Sequence, residues 1–253
     1  MNNDQFSRTR LLFGEEALLR FQRARVAVLG LGGVGSYAVE ALARSGIGFL
    51  RLVDFDRVNI SNLNRQLPAL HSTLGRLKTE VMQERIRDIN PECVVEIYSG
   101  FFSQEVQDEL LEGVDFVLDA IDSLGPKAGL LEQVFRRKIP VIACLGAASR
   151  FDPSRIELAD IAQTHTCPLA RKLRKYLHRR GIESGIPVIY STEPPISQFP
   201  PAAGTEEEWG ESRGRIRGTL GSSSYLPAIV GLWAASYILR QLASSERINP
   251  DKK

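Results

Sequence analysis

The feature that most constrains the fold is the string Arg25–Gly35, which reads RVAVLGLGGVG. A short apolar run leads into glycines at the spacing G-x-G-x-x-G, and a helical pattern follows. This order is typical of a phosphate-binding turn between a strand and a helix of a parallel sheet. Gly30 would permit the tight turn, Gly32 would let a phosphate approach the backbone, and Gly35 would let the helix pack closely. Gly33 completes the loop.

Short apolar runs and amphipathic stretches alternate through the first 150 residues. Continuous apolar strands separated by helices predict an α/β fold, a doubly wound, Rossmann-like and mostly parallel sheet with helices on both faces. The expected strands are Val26–Leu29, Leu50–Val53, Val94–Tyr98, Val114–Asp119 and Pro140–Cys144, and the expected helices are Val34–Ser45, Leu77–Ile89, Gln104–Leu111 and Lys127–Arg137.

The character of the chain changes after Phe151. We treat 1–253 as a single domain in which 1–150 form a nucleotide-binding core and 151–253 a substrate-side extension. The extension is expected to hold a basic helix at Pro168–Gly181, a strand at Val188–Ser191, a long crossover loop at about 193–218 and an apolar helix at about 225–242. That last helix approaches the length of a membrane span. Its dense apolar part is short and contains Pro227 and Gly231, which favours a buried core helix or a dimer helix, and no membrane is expected as a partner.

The three cysteines, Cys93, Cys144 and Cys167, are far apart in the sequence, which excludes a disulfide framework and a four-cysteine zinc site within this chain. We expect a reducing, cytoplasmic location. Cys93 and Cys144 belong to apolar runs and indicate packing. Cys167 lies beside basic sequence, so a reactive thiol is the alternative there.

An acidic residue completes the nucleotide motif. Asp54 ends the second expected strand, 24 residues after Gly30, and a carboxylate there can accept hydrogen bonds from ribose hydroxyls. Asp56 lies two residues further on. These residues indicate an adenine nucleotide without distinguishing NAD from ATP.

Cations and amides in the next segment favour a triphosphate. Asn62 and Arg65 follow Asp54, and Lys78 stands near the start of an expected helix. Arg65 can bind phosphate oxygens with two parallel hydrogen bonds, and Lys78 can supply a point charge. Asp122 follows the fourth expected strand at the sheet edge where ligands bind. One carboxylate with phosphate oxygens is a common way to hold Mg²⁺.

The combined strings GLGGVG, LVDFD, NISNLNRQ and DAIDS resemble the E1-like superfamily of adenylating enzymes. The resemblance implies an E1-like adenylation domain that uses ATP and Mg²⁺. It matches Asp54 to the ribose aspartate, Asn62 and Arg65 to the phosphate-contacting pair, Lys78 to the phosphate lysine and Asp122 to the magnesium aspartate. It also implies a homodimer, in which Arg8 enters the partner's nucleotide site, with Arg10 as a rival. Among the catalytic candidates are therefore Arg8, Arg65, Lys78 and Asp122.

Within this superfamily the chain resembles the tRNA threonylcarbamoyladenosine dehydratases over nearly its whole length, through FSRTRLLFG, MQERIRDINPEC, PLARKL, VIYSTE and GSSSYLPAIVG. The implied activity is ATP-dependent cyclisation of N6-threonylcarbamoyladenosine at position 37 of tRNA, with adenylation of the threonyl carboxylate and intramolecular attack. The resemblance also implies work alongside a cysteine desulfurase and its sulfur acceptor. The sulfur-carrier activators of the superfamily carry CxxC pairs, which are missing from this sequence.

The formal net charge of +2 gives no global attraction to nucleic acid, so a tRNA surface must be local. Helical spacing places Arg171, Arg174, Lys175 and His178 on one face of the basic segment, where phosphates could bind. A solvated helix face is the alternative.

Three other functions remain open from the residues alone. One is adenylation of the C-terminus of a ubiquitin-like sulfur carrier. Another is NAD-dependent oxidation and reduction, which leaves Arg65, Lys78 and Asp122 without a role. The third is a tRNA-binding or sulfur-relay scaffold with a nucleotide site that no longer works.

Overall fold

The computed structural model describes residues 4–196 and 220–244. Its centre is a seven-stranded sheet in the order β3-β2-β1-β4-β5-β7-β6. All neighbouring strands are parallel except β6, which runs antiparallel to β7. The strands are β1 Arg25–Leu29, β2 Phe49–Val53, β3 Val94–Tyr98, β4 Phe116–Asp119, β5 Val141–Cys144, β6 Ile156–Asp160 and β7 Pro187–Ser191. The predicted doubly wound, mostly parallel sheet is confirmed.

Helices cover both faces of this sheet. The helices are α1 Ser7–Phe13, α2 Glu15–Arg23, α3 Gly35–Arg44, α4 Lys78–Ile89, α5 Gln107–Leu111, α6 Leu124–Arg136, α7 Pro168–His178 and α8 Leu226–Ala243, with 3₁₀ turns at Ile60–Asn62, His71–Thr73, Pro153–Arg155 and Ile161–Gln163. One core lies between the sheet and α2, α3, α4 and α8, and the other between the sheet and α5, α6 and α7. Strands β4 and β5 are fully buried because both faces are covered.

The structure adds elements that the sequence patterns do not predict. Helices α1 and α2 and strand β6 are new, and β6 has a mixed pattern because only part of this edge strand is buried. Strands β6 and β7 join the same sheet as the core, so the extension continues it. The predicted crossover loop is described only as far as Ile196, and the rest of it lies outside the described residues.

Helix α8 packs as a core helix. Among residues 4–196 and 220–244 it alone is long and apolar enough to cross a membrane, with a mean hydropathy of 1.3. Half of it is buried, and it contacts α2, α3, β5 and β7. A Cβ at Gly231 would lie 2.1 Å from the Val34 carbonyl oxygen, so glycine allows α8 to approach the start of α3. This packing agrees with the buried helix predicted from the sequence.

Candidate nucleotide and adenylation site

The glycine loop joins β1 to α3, and two of its glycines are required by the fold. Gly30 has φ +94°, and a Cβ there would lie 2.7 Å from the Ala120 carbonyl oxygen. A Cβ at Gly35 would lie 1.8 Å from the Gly30 carbonyl oxygen. A Cβ at Gly32 would meet only Nε2 of Gln66, at 3.8 Å. Gly32 therefore borders open space, and its small size matters for what enters that space.

Backbone N–H groups of this loop are available to an anion. Within the described ranges, the N–H groups of Gly32 and Gly33 donate to no protein acceptor. They precede the first turn of α3, where the helix dipole places partial positive charge. Gly33 also packs against α8, since a Cβ there would lie 3.0 Å from Cβ of Pro227. The loop can bind a phosphate, and α8 supports it from behind.

Asp54 is held directly beside the loop. It is buried after β2, and its Oδ2 accepts a hydrogen bond from Leu31 N at 2.6 Å while Oδ1 accepts one from Asp56 N at 2.8 Å. Burial raises the pKa of the Asp54 carboxyl, and the positive charge of Lys78 opposes part of that rise. Each carboxylate oxygen has a further lone pair for a ribose hydroxyl, so this geometry supports the predicted role.

Lys78 begins α4 and forms an ion pair with Asp56. Its Nζ lies 2.7 Å from Asp56 Oδ2. The lysine side chain is 4% exposed and the aspartate side chain 46%. The ammonium is thus fixed in place and reachable only at the edge of the sheet. An incoming phosphate would share or take over the contact that Asp56 makes here.

Asn62 and Arg65 lie in the turn after β2. Asn62 is buried, and its Oδ1 accepts a hydrogen bond from Asn59 N at 3.1 Å. Arg65 donates through Nη1 to Ser61 O at 2.9 Å and to Asn64 Oδ1 at 2.8 Å. In the described part of the chain its Nε and Nη2 make no hydrogen bond. Cγ of Arg65 lies 3.4 Å from where a Gly33 Cβ would be, so the arginine borders the phosphate loop.

Asp122 stands on an exposed turn after β4, and Ser123 Oγ donates to its Oδ1 at 3.2 Å. The turn is shaped by an ion pair that sequence reasoning missed. Asp119 and Lys127 are fully buried, with Lys127 Nζ 2.7 Å from Asp119 Oδ2. Asp119 Oδ1 also accepts from Ile121 N at 3.0 Å. Burial raises the pKa of Asp119, and Lys127 opposes the rise. The pair holds both ends of the segment that displays Asp122.

The donor set fits ATP with Mg²⁺. Among the residues described, no group of three or more His, Cys, Asp or Glu side chains could hold a metal by itself. One exposed carboxylate, Asp122, suits an ion bound mainly by phosphate oxygens and water. Gln66 Oε1 is buried without a hydrogen-bond partner, beside the open space over Gly32. A hydroxyl of a bound group, or a water that accompanies it, would satisfy this acceptor.

The two arginines of α1 are used differently. Arg10 lies 2.8 Å from Asp4 and 2.6 Å from Glu15, so it is engaged within its own chain. Arg8 is exposed, beside Leu11 at 75% and Leu12 at 77% exposure. This favours Arg8 over Arg10 as a residue that could reach a second molecule. The single chain brings Arg8 into no described contact with the glycine loop.

The basic face predicted on α7 is divided by the structure. Arg171, Lys175 and His178 are exposed. Arg174 instead donates to Thr164 O at 2.7 Å and to Thr164 Oγ1, and so ties α7 to the preceding turn. His178 lies 3.4 Å from Glu183. The helical pattern placed Arg174 with the other cations, and it could not reveal that a local carbonyl already occupies this side chain.

Arg150 is a second residue that sequence reasoning missed. It follows β5, it is 5% exposed, and its Nε donates to Glu193 O at 2.8 Å. Its Nη1 donates to Gly146 O, and its buried Nη2 has no hydrogen-bond partner. A lone arginine in a loop carries no motif, so no signal in one sequence could have identified it.

All three cysteines are buried and free. Burial raises the pKa of the Cys93 thiol to about 11 and that of Cys144 to about 12, which makes both thiols poor nucleophiles. Cys167 is 2% exposed, packed below α7. The alternative of a reactive, accessible Cys167 is therefore not favoured.

Comparison with known proteins places this site in a family. The ThiF family model matches residues 6–252. A tRNA threonylcarbamoyladenosine dehydratase of Bacillus subtilis (strain 168) is 42% identical over 242 residues, which cover 94% of this chain and 94% of the relative. Among solved structures, Escherichia coli tRNA N6-threonylcarbamoyladenosine dehydratase in complex with ATP superposes with a TM-score of 0.83 at 37% identity, covering 94% of this chain and 93% of that chain.

The same Escherichia coli enzyme in complex with AMP gives a TM-score of 0.82 at 38% identity over the same shares of the two chains. The family match spans both the first 150 residues and the part of the chain that follows them. The chain therefore belongs to the ThiF family, and its similarity to the tRNA threonylcarbamoyladenosine dehydratases runs along nearly its whole length.

Proposed function

We propose that this protein catalyses the ATP-dependent dehydration of N6-threonylcarbamoyladenosine at position 37 of tRNA. The observation that carries the proposal is the convergence of an anion-binding glycine loop with Asp54, Arg65, Lys78 and Asp122 at one edge of the sheet. It is supported by relatives of that activity matched along 94% of this chain and 93–94% of their own, one of them solved with ATP and with AMP.

The chemistry needs an activated carboxylate. A threonyl carboxylate oxygen attacks the α-phosphorus of ATP, a bond to phosphorus forms, and pyrophosphate leaves. The neighbouring ureido group then attacks the acyl carbon, the ring closes, and AMP departs. AMP carries away the carboxylate oxygen and the ureido group loses a proton, so the nucleoside loses the atoms of one water overall. No nucleophile from the protein is required, which suits a chain whose described cysteines are buried.

The chain would contribute position and charge. The loop N–H groups and Arg65 would bind phosphate oxygens, Lys78 would neutralise developing negative charge, and Asp54 would hold the ribose. Asp122 would hold Mg²⁺, which when bound neutralises phosphate charge and assists departure of pyrophosphate. The exposed position of Asp122 on its braced turn supports that assignment.

A homodimer would complete the site. Helix α1 presents Arg8 next to two exposed leucines, Leu11 and Leu12. Burying those leucines against a second copy would release apolar surface from water and carry Arg8 towards the partner. A C₂ arrangement would place the same contact on both protomers.

The tRNA would bind over α7. Arg171, Lys172, Lys175 and Arg179 are exposed there and can contact phosphates. Because Arg174 donates to Thr164, we assign the tRNA surface to these four cations and His178. A cysteine desulfurase with its sulfur acceptor, and a cytoplasmic location, remain predictions from the sequence resemblance.

The test is a product analysis. The protein is incubated with Mg²⁺, ATP and tRNA bearing threonylcarbamoyladenosine, the tRNA is digested at neutral pH, and the nucleoside mass is measured. We expect the loss of one water, dependent on ATP and absent with Asp122→Asn. Asp108→Asn, which alters an exposed carboxylate on α5, is the matched control and should behave as wild type. An unchanged nucleoside with a protein that binds ATP would reject this substrate and redirect the search to carrier-protein C-termini.

A further inference from the structure

The loop after β5 encloses an arginine with one unused donor. Arg150 is 5% exposed. Its Nε donates to Glu193 O at 2.8 Å, and its Nη1 donates to Gly146 O and lies 3.5 Å from Ala148 O. These carbonyls fix the plane of the guanidinium. Only Nη2 remains, and it is buried without a hydrogen-bond partner.

Across 4–196 and 220–244, no carboxylate forms an ion pair with Arg150, so no described side chain compensates its charge. Glu193 is adjacent, but its carboxylate accepts from Phe151 N at 3.0 Å and Asp152 N at 2.9 Å instead. A buried cation without a counter-charge is costly, and a buried unused N–H adds to that cost. Such a group is what a site for an incoming anion requires.

The position of this loop indicates which anion. Strand β5 lies next to β4, with Ala143 paired to Asp119, and β4 leads to the Asp122 turn. On the far side of β4 lies β1 with the glycine loop. Along the carboxyl edge of the sheet the order is therefore phosphate loop, Asp122 turn, Arg150 loop. With a nucleotide phosphate bound at the loop after β1, the Arg150 loop would be the next part of this edge beyond the Asp122 turn that a second substrate could reach.

We propose that Arg150 is a specificity-determining residue that receives the threonyl carboxylate of the tRNA substrate through Nη2. This inference rests on the proposed function. Nη2 is buried in this structure, and the neighbouring residues 146–149 are half-buried, so a shift of that segment would open the contact. Adenylation removes the charge of the carboxylate when its oxygen bonds to phosphorus and pyrophosphate leaves. The hold of Arg150 then weakens, and the acyl carbon is free to turn towards the ureido group.

Discrimination between two tRNAs tests the proposal. The dissociation constants of tRNA bearing threonylcarbamoyladenosine and of the same tRNA with unmodified adenosine are measured on the full chain, with a non-hydrolysable ATP analogue present. Wild type should prefer the modified tRNA. In Arg150→Gln the ratio of the two dissociation constants should fall about 10- to 100-fold, which is the range expected for a hydrogen bond to a charged group. Its affinities for unmodified tRNA and for ATP should stay as in wild type.

Arg155→Gln is the matched control. Arg155 comes from the same segment but is largely exposed, with Nε 3.8 Å from Asp152 Oδ2. Arg155→Gln should weaken the binding of both tRNAs equally and leave the ratio of their dissociation constants unchanged. An Arg150→Gln protein that keeps the wild-type ratio overturns the inference. An Arg150→Gln protein that loses ATP affinity and keeps the wild-type ratio also overturns the inference, because Arg150 would then bind a phosphate.

Arg150→Lys covers the case in which Arg150→Gln fails to fold, judged by thermal unfolding. Lysine keeps the charge but lacks the planar guanidinium whose Nε binds Glu193 O while Nη2 stays unused. We therefore expect Arg150→Lys to prefer the modified tRNA more weakly than wild type does. A full wild-type preference in Arg150→Lys overturns the inference. If wild type itself neither prefers the modified tRNA nor cyclises it, the proposed function fails; if wild type does both, only the role of Arg150 is judged.

Discussion

The two halves of the carboxyl edge of the sheet differ in what their side chains bind. At the glycine loop and the turn after β2, polar groups lie at the open edge, as the N–H groups of Gly32 and Gly33 do, or pair with a half-exposed side chain, as Lys78 does with Asp56. Around β5 and β7, the polar groups bind backbone of the same chain, as Arg150 does with Gly146 and Glu193. The first half leaves several donors without a protein acceptor among the described residues. The second half is arranged to hold its own loops, and it leaves one donor unused.

This difference separates two reasons for a residue to be required. Around the glycine loop, we expect Gly32 to be required by a ligand, because the fold itself leaves room for a larger side chain. At the Asp119–Lys127 pair and at Gly35, a residue is required by the fold. Substitutions in the first set should therefore lower activity and leave stability unchanged. Substitutions in the second set should lower stability first.

The largest expected effect is at Asp122. Replacing it with asparagine should lower the rate of cyclisation roughly 10²- to 10³-fold, the cost of removing one group that stabilises transition-state charge. Its exposed side chain predicts an unchanged melting temperature. Rates from product mass, together with Mn²⁺ titration in the presence of ATP, measure this. A variant that cyclises at the wild-type rate would exclude Asp122 from the metal site.

The two lysine–aspartate pairs allow a direct contrast. Lys127→Gln leaves Asp119 fully buried without its cation and should lower the free energy of unfolding by about 3–5 kcal/mol. Lys78→Gln leaves a half-exposed Asp56 and should cost about 1 kcal/mol or less while it impairs ATP turnover. Urea denaturation and pyrophosphate release measure the two quantities. Equal losses of stability would contradict the contrast.

Two glycine substitutions separate ligand from fold. A Cβ at Gly35 would lie 1.8 Å from a carbonyl oxygen, so Gly35→Ala should destabilise the protein by about 1–3 kcal/mol or more. Gly32→Ala meets nothing closer than 3.8 Å and should change stability by about 0.5 kcal/mol at most, yet weaken ATP binding about tenfold. Thermal unfolding and ATP titration decide this. Normal ATP binding in Gly32→Ala would exclude close phosphate approach there.

The raised pKa of Asp54 predicts a smaller effect, on the pH dependence of ATP binding. Because burial raises that pKa, the carboxylate takes up a proton at a higher pH than an ordinary aspartate. ATP affinity should therefore start to fall at a higher pH as solutions are acidified, and Asp54→Asn should show weak binding with a flatter pH profile. The raised pKa also means that the stability contribution of this group is lost as pH rises through it. Calorimetric ATP titration across pH measures the first effect.

The smallest effect is expected at Cys144, the last residue of β5. Its pKa of about 12 keeps the thiol protonated at neutral pH. Thiol reagents should therefore label Cys144 only after denaturation, and Cys144→Ala should retain cyclisation. Rapid labelling of the native protein at pH 8, read by peptide mass, would contradict this.

The sequence predicted the parts whose signals are local. Continuous apolar runs identified the parallel strands, and glycine spacing identified the loop, because each follows from a few adjacent residues. The candidates Asp54, Asn62, Arg65, Lys78 and Asp122 lie on the turns and the helix start at that sheet edge, and their roles with a nucleotide stay predictions.

The missed features depend on contacts between distant residues. Asp119 meets Lys127 across a turn, Arg150 meets Glu193 across the β5–β7 connection, and Arg174 meets Thr164. None of these pairs has a periodic or motif signal. Strand β6 was missed for the related reason that an edge strand need not be continuously apolar.

The support that α8 gives to the glycine loop has a consequence for synthesis. Pro227 contacts Gly33 and Gly231 contacts Val34, so a turn encoded near the start of the chain rests on a helix encoded near residue 230. While the ribosome is still making the middle of the protein, the phosphate loop lacks the surface on which it packs. Nascent chains that stop before α8 should therefore bind nucleotide weakly. ATP binding should appear late in translation, at the same step at which α8 packs and completes the core.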